Sequence, residues 1–460
     1  MLKKDQIFPS KSEVARIELQ TKWEKMFHSE YIYTRVYDPV KKISMDVDPL
    51  VPLPSVISEI SSDLLFGEFP ILSYTDEKAD KKLDEWLETN TQFNTDLLEA
   101  SAYTSALGTI FLIKFRMEEQ VFYEFVTGNK CVWEEDVLGL TRFTMFKIEE
   151  VNEKQKYIIY QIHEHYYKWD ESKKSPLLDD NRKHKVDNYM AKVNTITRKV
   201  IDVYDKETID TGLKDMPVIR VDNIKTLNGV IGKSDYQGKE QLFAEVDNRI
   251  DQINYVIQEH AEPWMGMPPG LLDNKGNFNK ALGKMFEKSP SAGDNDISIA
   301  QWDAQLQSAF NSIEVMVRMI FFTSRISTPI SGLDQGGNVE SGRALKWRSI
   351  NTFSMINRKR KYWNEVLRKF FKLEGEMNKD YSEFKDNDLL IQWQDGLPLD
   401  EVEVVENVVK RINNGLMSHL RAIMDIDEVS KEDAQDELDQ IGSEKQSNAD
   451  IESSKFTIKV

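Results

Sequence analysis

Apolar residues first recur along this chain at helical spacing. Lys11–Ser29 reads as an amphipathic helix, and "SVISEISSDLLFGEFP" (Ser55–Pro70) as a short one stopped by Gly67, with Pro70 just beyond. Two more helices fit Asp76–Ala106, "DEKADKKLDEWLETN" and "FNTDLLEASAYTSA". From Gly108 the period becomes two, the spacing of a strand with one covered face. "GTIFLIKFR", "QVFYEFVT", "KCVWEE", "LTRFTMFKIEE", "KYIIYQIHEHYYKW" and "NTITRKVIDVY" follow one another across polar or glycine-containing turns and predict an antiparallel meander. "MPVIRVDNI" (Met216–Ile224) closes an α+β half.

A different pattern follows. In Asp235–Glu262, Leu242, Val246, Ile250, Ile253 and Ile257 form one stripe of a long helix. "EPWMGMPPG" ends it with three prolines, which can neither donate nor continue the turn. A small module is expected over Pro263–Trp302: an extended piece, a short helix "NFNKALGKMFEKS", a "SPSAGDN" turn and the strand "DISIAQW". Gln305–Ser324 is helical again, with Leu306, Phe310, Ile313, Val317 and Ile320 spaced as in a short coiled-coil seam. A third long helix is expected over about Asn338–Leu373. Beyond it come the strand "LLIQW", the turn "QDGLP" and helices at Leu399–Asn413, Ser418–Asp425 and Ser430–Ile441. The tail from Gly442 is polar and reads as disordered. No internal repeat is present.

Between two of the long helices lies "RISTPISGLDQGGNVESGRALKW" (Arg325–Trp347). Pro329, Gly332, Gly336, Gly337 and Gly342 make its backbone permissive, and it spends about a dozen residues where a simple helix connection needs only a few. It offers almost no apolar anchor. Asn338 fits an N-cap, with Glu340 favourable in the first turn of the next helix.

Charge changes the picture. The chain has 460 residues and a net charge of −18, so a surface built mainly to grip phosphate is not expected. From Arg343 to Lys372 the third long helix runs against that balance, with basic residues at 343, 346, 348, 358, 359, 360, 361, 368, 369 and 372 and a single acid, Glu365. Trp347, Ile350, Phe353, Ile356, Trp363, Leu367 and Phe370 interleave with them, so one face must be buried. The basic side chains can be solvated heads of a core helix, a ledge facing nucleic acid, or a ring of charge facing an acidic neighbouring subunit. The acidity of the whole chain favours the neighbouring subunit over nucleic acid.

Candidate chemistry is sparse. Cys131 is the only cysteine, which excludes an internal disulfide and fits a reducing compartment. In "KCVWEE" it reads as a half-buried small hydrophobe in a strand. No run approaches the length of a membrane span, and "MLKKDQIFPSKSE" lacks the apolar segment of a signal peptide, so a soluble, intracellularly made protein is expected. His163 and His165 lie two apart on one strand face, where they could offer two metal ligands, but no third ligand stands at a fitting spacing. The paired acids of "WEED", "KIEE" and "DELDQ" read as solvated faces. There is no G-x-x-x-x-G-K-[ST], no G-x-S-x-G and no H-E-x-x-H, and no catalytic residues, cofactor or metal are assigned.

Four stretches, in this order, carry a resemblance. They are "ISEISSDLLFGEFP", "ISTPISGLDQGGNVESGRALKWR", "QWQDGLPLDEVEVVENVVK" and "GLMSHLRAIMDIDEVSKEDAQDELDQI". Together the chain resembles the portal proteins of tailed bacteriophages, in the group typified by long-tailed phages of Gram-positive hosts. The resemblance runs from about residue 10 to 442. It implies an α+β portal fold with an α/β wing, long stem helices, a small clip module and a helical crown. The implied divisions are wing 1–234, stem helix 235–262, clip 263–304, stem helix 305–326, tunnel loop 327–338, long helix and wing return strand 339–398, crown 399–441 and a disordered tail 442–460.

It further implies a ring of about twelve subunits at one capsid vertex of the virion. Double-stranded DNA would be packaged and ejected through that ring without sequence specificity. The implied partners are the terminase large subunit, a head-completion or adaptor protein, and the major capsid and scaffolding proteins. The resemblance places Ser331, Asp334, Gln335, Gly336, Gly337, Asn338 and Glu340 toward DNA in the tunnel loop. Asp273, Asn274, Lys275, Lys280 and Lys284 would face terminase or adaptor from the clip. A nucleic-acid-processing enzyme, with the basic helix as substrate ledge, and a non-conducting capsid adaptor are the competing readings.

Overall fold

A computed structural model describes residues 1–30, 33–38, 43–47, 49–227, 229–261, 264–267, 285–287, 298–300, 306–333, 342–394, 401–427 and 433–442. The chain divides into two compact units, one of Met1–Gly336 with Arg348–Gly396, the other of Gly337–Trp347 with Leu397–Val460.

Helix α1 (Lys11–Phe27) opens the larger unit with a reciprocal cap. The Glu13 amide donates to Ser10 Oγ at 3.4 Å, and the Ser10 amide donates to the Glu13 carboxylate at 2.7 Å. The strands β1 (Tyr33–Asp38) and β2 (Ile43–Val47) pair as a hairpin that the sequence pattern did not announce. Helix α2 (Leu53–Phe66) is followed by the short strand β3 (Ile71–Ser73), then α3 (Glu77–Thr89) and α4 (Phe93–Leu107). Asp76 caps α3 by accepting from the Ala79 amide at 3.1 Å.

The expected meander is two sheets. Strands β4 (Thr109–Met117) and β5 (Gln120–Thr127) form a hairpin. Next come β6 (Cys131–Asp136), β7 (Gly139–Asn152), β8 (Tyr157–Lys168), β9 (Lys183–Asn194), β10 (Val200–Asp210) and β11 (Val218–Asp222). The first sheet has the order β11–β4–β5 and the second β10–β9–β8–β7–β6. Two strands stand where the pattern predicted one, "NTITRKVIDVY", because β9 ends at Asn194. There the Asn194 side chain accepts from the amides of Ile196 (2.9 Å) and Thr197 (2.8 Å) and closes the turn.

Helix α5 (Glu240–Ala261) leads to β12 (Trp264–Met267), β13 (Met285–Glu287) and β14 (Ser298–Ala300), a small sheet with β12 in the middle. Met285–Glu287 was expected at the end of a helix. Its backbone pairs in parallel with β12 instead, a ladder that outweighs the weak helix preference of so short a segment. Helix α6 (Leu306–Thr323) packs on α5. Their shared seam is buried over only part of its predicted length: Phe243, Val246, Ile253, Ile320 and Phe321 are buried, but Ile257 and Phe310 are about half exposed.

The expected helix Asn338–Leu373 is α7 (Gly342–Arg348) and α8 (Ile350–Met377), interrupted at Ser349. The boundary between the units falls beside this break, between Trp347 and Arg348. After α8 a 3-10 segment (Lys379–Lys385) folds back, and β15 (Leu390–Gln392) pairs antiparallel with β3. The second unit adds α9 (Glu401–Asn413), α10 (His419–Asp427) and a helix at 433–442, α11. Among the described residues no helix is long and apolar enough to cross a membrane.

The core of the larger unit collects around α8. Trp363 packs edge-on against Phe66 with ring centroids 4.9 Å apart, and Phe370 stacks on Phe93 at 4.8 Å. Gly375 lets the returning 3-10 segment lie directly on the helix, since a Cβ there would stand 2.6 Å from the Lys385 amide nitrogen. Alanine normally strengthens a helix interior relative to glycine by about 1 kcal/mol. We expect Gly375→Ala to destabilise instead, by roughly 1–3 kcal/mol in urea unfolding, because the backbone must move to admit the methyl group.

Candidate functional site

Two buried ion pairs fix α8 within the larger unit. The Lys359 ammonium lies 2.5 Å from Asp235 Oδ2 and donates to Ser61 Oγ at 2.6 Å. The same carboxylate accepts from Ser105 Oγ (2.6 Å) and Asn223 Nδ2 (3.1 Å). Burial alone would raise the Asp235 pKa. Lys359, Ser105 and Lys239 outweigh it and hold the carboxyl below its ordinary value. Four segments thus converge on one charge: α2, α4, α8 and the approach to α5. Further along α8, Glu374 pairs with Lys114 of β4, whose ammonium sits 3.6 Å from the centre of the Phe370 ring. Burial pushes Lys114 down to about 8, against the pull of Glu374.

The glycine-rich connection leaves α6 through a tight cap. Arg325 adopts φ +60°, the Ile326 amide donates to Phe321 O at 2.9 Å, and the Arg325 amide donates to Phe322 O at 3.0 Å. This is the Schellman arrangement, formed with arginine where glycine is usual. Ile326 is buried, and Ile330 and Leu333 pack against the core. Thr352, in the first turn of α8, ties the root down. Its Oγ1 accepts from the Ser327 amide (2.8 Å) and donates to Arg325 O (3.0 Å). Ser331 donates from Oγ to Thr328 O at 3.0 Å. The expectation of a loop with almost no apolar anchor therefore fails for its first part, through Leu333, which is a hydrogen-bonded turn seated on the core.

Of the tunnel-loop candidates only Ser331 is described; Asp334, Gln335, Gly336, Gly337, Asn338 and Glu340 lie outside the described residues. So do the clip candidates Asp273, Asn274, Lys275, Lys280 and Lys284.

The basic helix is corrected by its faces. Lys359 and Arg360 are buried and serve the core: Arg360 lies over the Trp393 ring at 5.3 Å and donates to Leu64 O at 3.3 Å. Arg358, Lys361, Arg368, Lys369 and Lys372 are exposed. Sequence reasoning missed Lys359, Asp235 and Thr352 as organising residues. The available signal was Lys359 on the apolar stripe, three residues after Ile356 and four before Trp363.

The histidines form no common centre. His163 Nδ1 donates to Asn188 Oδ1 at 2.7 Å, whereas His165 stacks on His184 of β9 with Nδ1 3.2 Å from His184 Nε2. Among the described residues no group of three or more His, Cys, Asp or Glu is arranged to hold a metal ion. Burial, then the neighbouring imidazoles, hold His165 well below its ordinary value, and burial holds His184 at about 4. Cys131 is fully buried and its thiol pKa is pushed up by that burial, so it packs as a small hydrophobe. The acids of "WEED" are structural: both Glu135 oxygens accept from Arg220 at 2.7 Å, and Asp136 Oδ1 accepts from the amides of Leu138 (2.7 Å) and Gly139 (3.1 Å).

A family model described as "Phage portal protein, SPP1 Gp6-like" matches residues 50–450. No curated protein matches the chain. Among solved structures, a chain from "Virion of native gene transfer agent (GTA) particle" is 10% identical, with 91% of this chain and 94% of that chain covered and a TM-score of 0.43.

Two outcomes follow from the buried charges. Lys359→Met leaves the Asp235 carboxylate unpaired and is expected to cost about 3–5 kcal/mol in urea unfolding, with Asp235→Asn added to it recovering part of the loss. The imidazole pair predicts acid sensitivity. Its folded pKa values are lowered, so the unfolded chain takes up protons first and stability falls as pH drops below 6.5 toward 4. His184 alone accounts for about 2 kcal/mol between pH 7 and 5, and His184→Gln should flatten the measured dependence by that amount.

Proposed function

Because the chain belongs to the phage portal protein family, we propose that it forms the ring-shaped conduit at one capsid vertex through which double-stranded DNA enters and leaves. We place it in the group typified by long-tailed phages of Gram-positive hosts, as part of the virion. The family match over most of the chain is the observation that carries this reading. The role is structural and needs no catalysis.

The finer assignments follow the order of elements. The α+β part through residue 234 is the wing, α5 and α6 are the stem helices, and residues 263–304 are the clip that docks terminase and then a head-completion protein. Residues 327–338 are the tunnel loop, α8 lies behind it, and α9 to α11 form the crown. About twelve copies close the ring, which sits among capsid and scaffolding proteins.

The charge of the chain supports this use. A wall that DNA must slide past should make few phosphate contacts, since each one adds affinity and friction. The net charge is −18, and no lysine or arginine occurs between Ile326 and Ser341, whereas Asp334 and Glu340 do. The hydrogen-bonded root through Leu333 supports a collar held at its base.

Electron microscopy of the purified protein should show rings with a central hole. A monomer with divalent-metal-dependent nuclease activity would instead favour an enzyme. Gly336→Trp with Gly337→Trp is expected to reduce filled heads to background in a packaging assay while rings still form. Normal packaging by that variant would remove the tunnel-loop assignment.

A further inference from the structure

The exposed side of α8 carries a charge pattern that the fold does not use. Arg358, Lys361, Glu365, Arg368, Lys369 and Lys372 are all exposed, and their positions fall within about 100° of the helix circumference at 3.6 residues per turn. From Arg358 to Lys372 the stripe is about 21 Å long at 1.5 Å per residue. The opposite side holds Met355, Ile356, Trp363, Val366, Leu367 and Phe370 in the core, so the stripe is presented on a rigid support.

Among the described residues the stripe makes no ion pair, although Glu376, four residues after Lys372, feels the charge of that lysine. Among the described residues none of Arg358, Lys361, Lys369 and Lys372 has a carboxylate at ion-pair distance. Arg368 is held only through Nε, which donates to Leu389 O at 3.2 Å. Spacings of three and four residues place like charges side by side: Arg358 with Lys361, Arg368 with Lys372, and Lys369 with Lys372. Such pairs weaken an isolated helix. Glu365, four residues before Lys369, and Glu376, four residues after Lys372, work in the favourable sense.

We propose that this stripe is an interface between copies of the chain, covered by the acidic surface of a neighbouring subunit. The inference rests on the ring reading above and names a surface that closes the ring. Charge complementarity selects the occupant. The chain totals −18 with the stripe included, so a second copy offers abundant acidic surface for local pairing with it. The larger unit also carries matching surface. On β10, one edge strand of the five-stranded sheet, Asp202, Asp205 and Glu207 are exposed and have no ion-pair partner among the described residues.

Rings assembled from an equal mixture of 15N-labelled and unlabelled full-length protein test this directly. A zero-length carbodiimide joins lysine to carboxylate only where the two touch. Cross-linked peptides containing Lys361, Lys369 or Lys372 should carry one label from each source. Intact rings in which these lysines link only within their own chain, or not at all, would overturn the interface. In parallel, Lys361→Glu/Lys369→Glu/Lys372→Glu, with folding verified by circular dichroism, should sediment as subunits at ionic strengths where the unaltered protein sediments as rings. Normal rings from that variant would overturn the proposal and leave the portal reading standing. If the stripe lysines are instead protected from modification by added DNA, with variant rings unaffected, the stripe faces nucleic acid and the proposal is wrong. Failure of the unaltered protein to form any ring would overturn both readings.

Discussion

Burying an ammonium group costs several kcal/mol unless a charge and further hydrogen bonds meet it, and the larger unit is organised around one place where they do. Lys359 reaches a carboxylate that already receives Ser105 and Asn223 and sits at the entrance to α5. Apolar packing alone would tolerate a small rotation or slide of α8, because Leu, Phe and Trp faces repack at modest cost. A buried charge pair does not. It is satisfied in one register, and α2, α4, α5 and α8 have to agree on it. The second pair, Lys114 with Glu374, repeats the constraint at the other end of the helix and fixes its rotation against β4.

That register decides what faces outward. With Lys359 turned in, Arg358 and Lys361 are turned out, and the start of α8 presents Thr352 to the segment leaving α6. A single helix therefore divides its charge between two tasks. Inside, a few charges choose one arrangement among many of similar hydrophobic energy. Outside, a row of the same residue types remains available for association. The two tasks are linked, since a change that frees Lys359 also rotates the outward row.

The long helices were legible in the sequence because burial on one side imposes a three-four repeat, and α5, α6 and α8 show it. Cys131 was read as a small strand hydrophobe, half-buried, whereas it is fully buried. The division of the basic helix was not, because a count of lysines ignores which face each one occupies; only the angular position of Lys359 relative to Ile356 and Trp363 holds that information. Strand β9 escaped for a related reason. His184 and Asp187 occupy buried positions where an apolar residue would have revealed the alternation. The loop root was misread because its anchors, Ile326, Ile330 and Leu333, are isolated apolar residues in a polar run, and their partners lie far off in the chain. The larger unit resumes at Arg348, one residue before the helix break at Ser349, and no proline or glycine marks that point.

Among the described residues, the cap at Arg325 closes on atoms between Phe321 and Leu333 and on Thr352. A connection with such a self-contained base has an interchangeable middle. Its sequence can drift between related phages, or be replaced by a designed peptide, without redirecting the chain at the point of departure. Conservation would then be expected in the residues that hold the root.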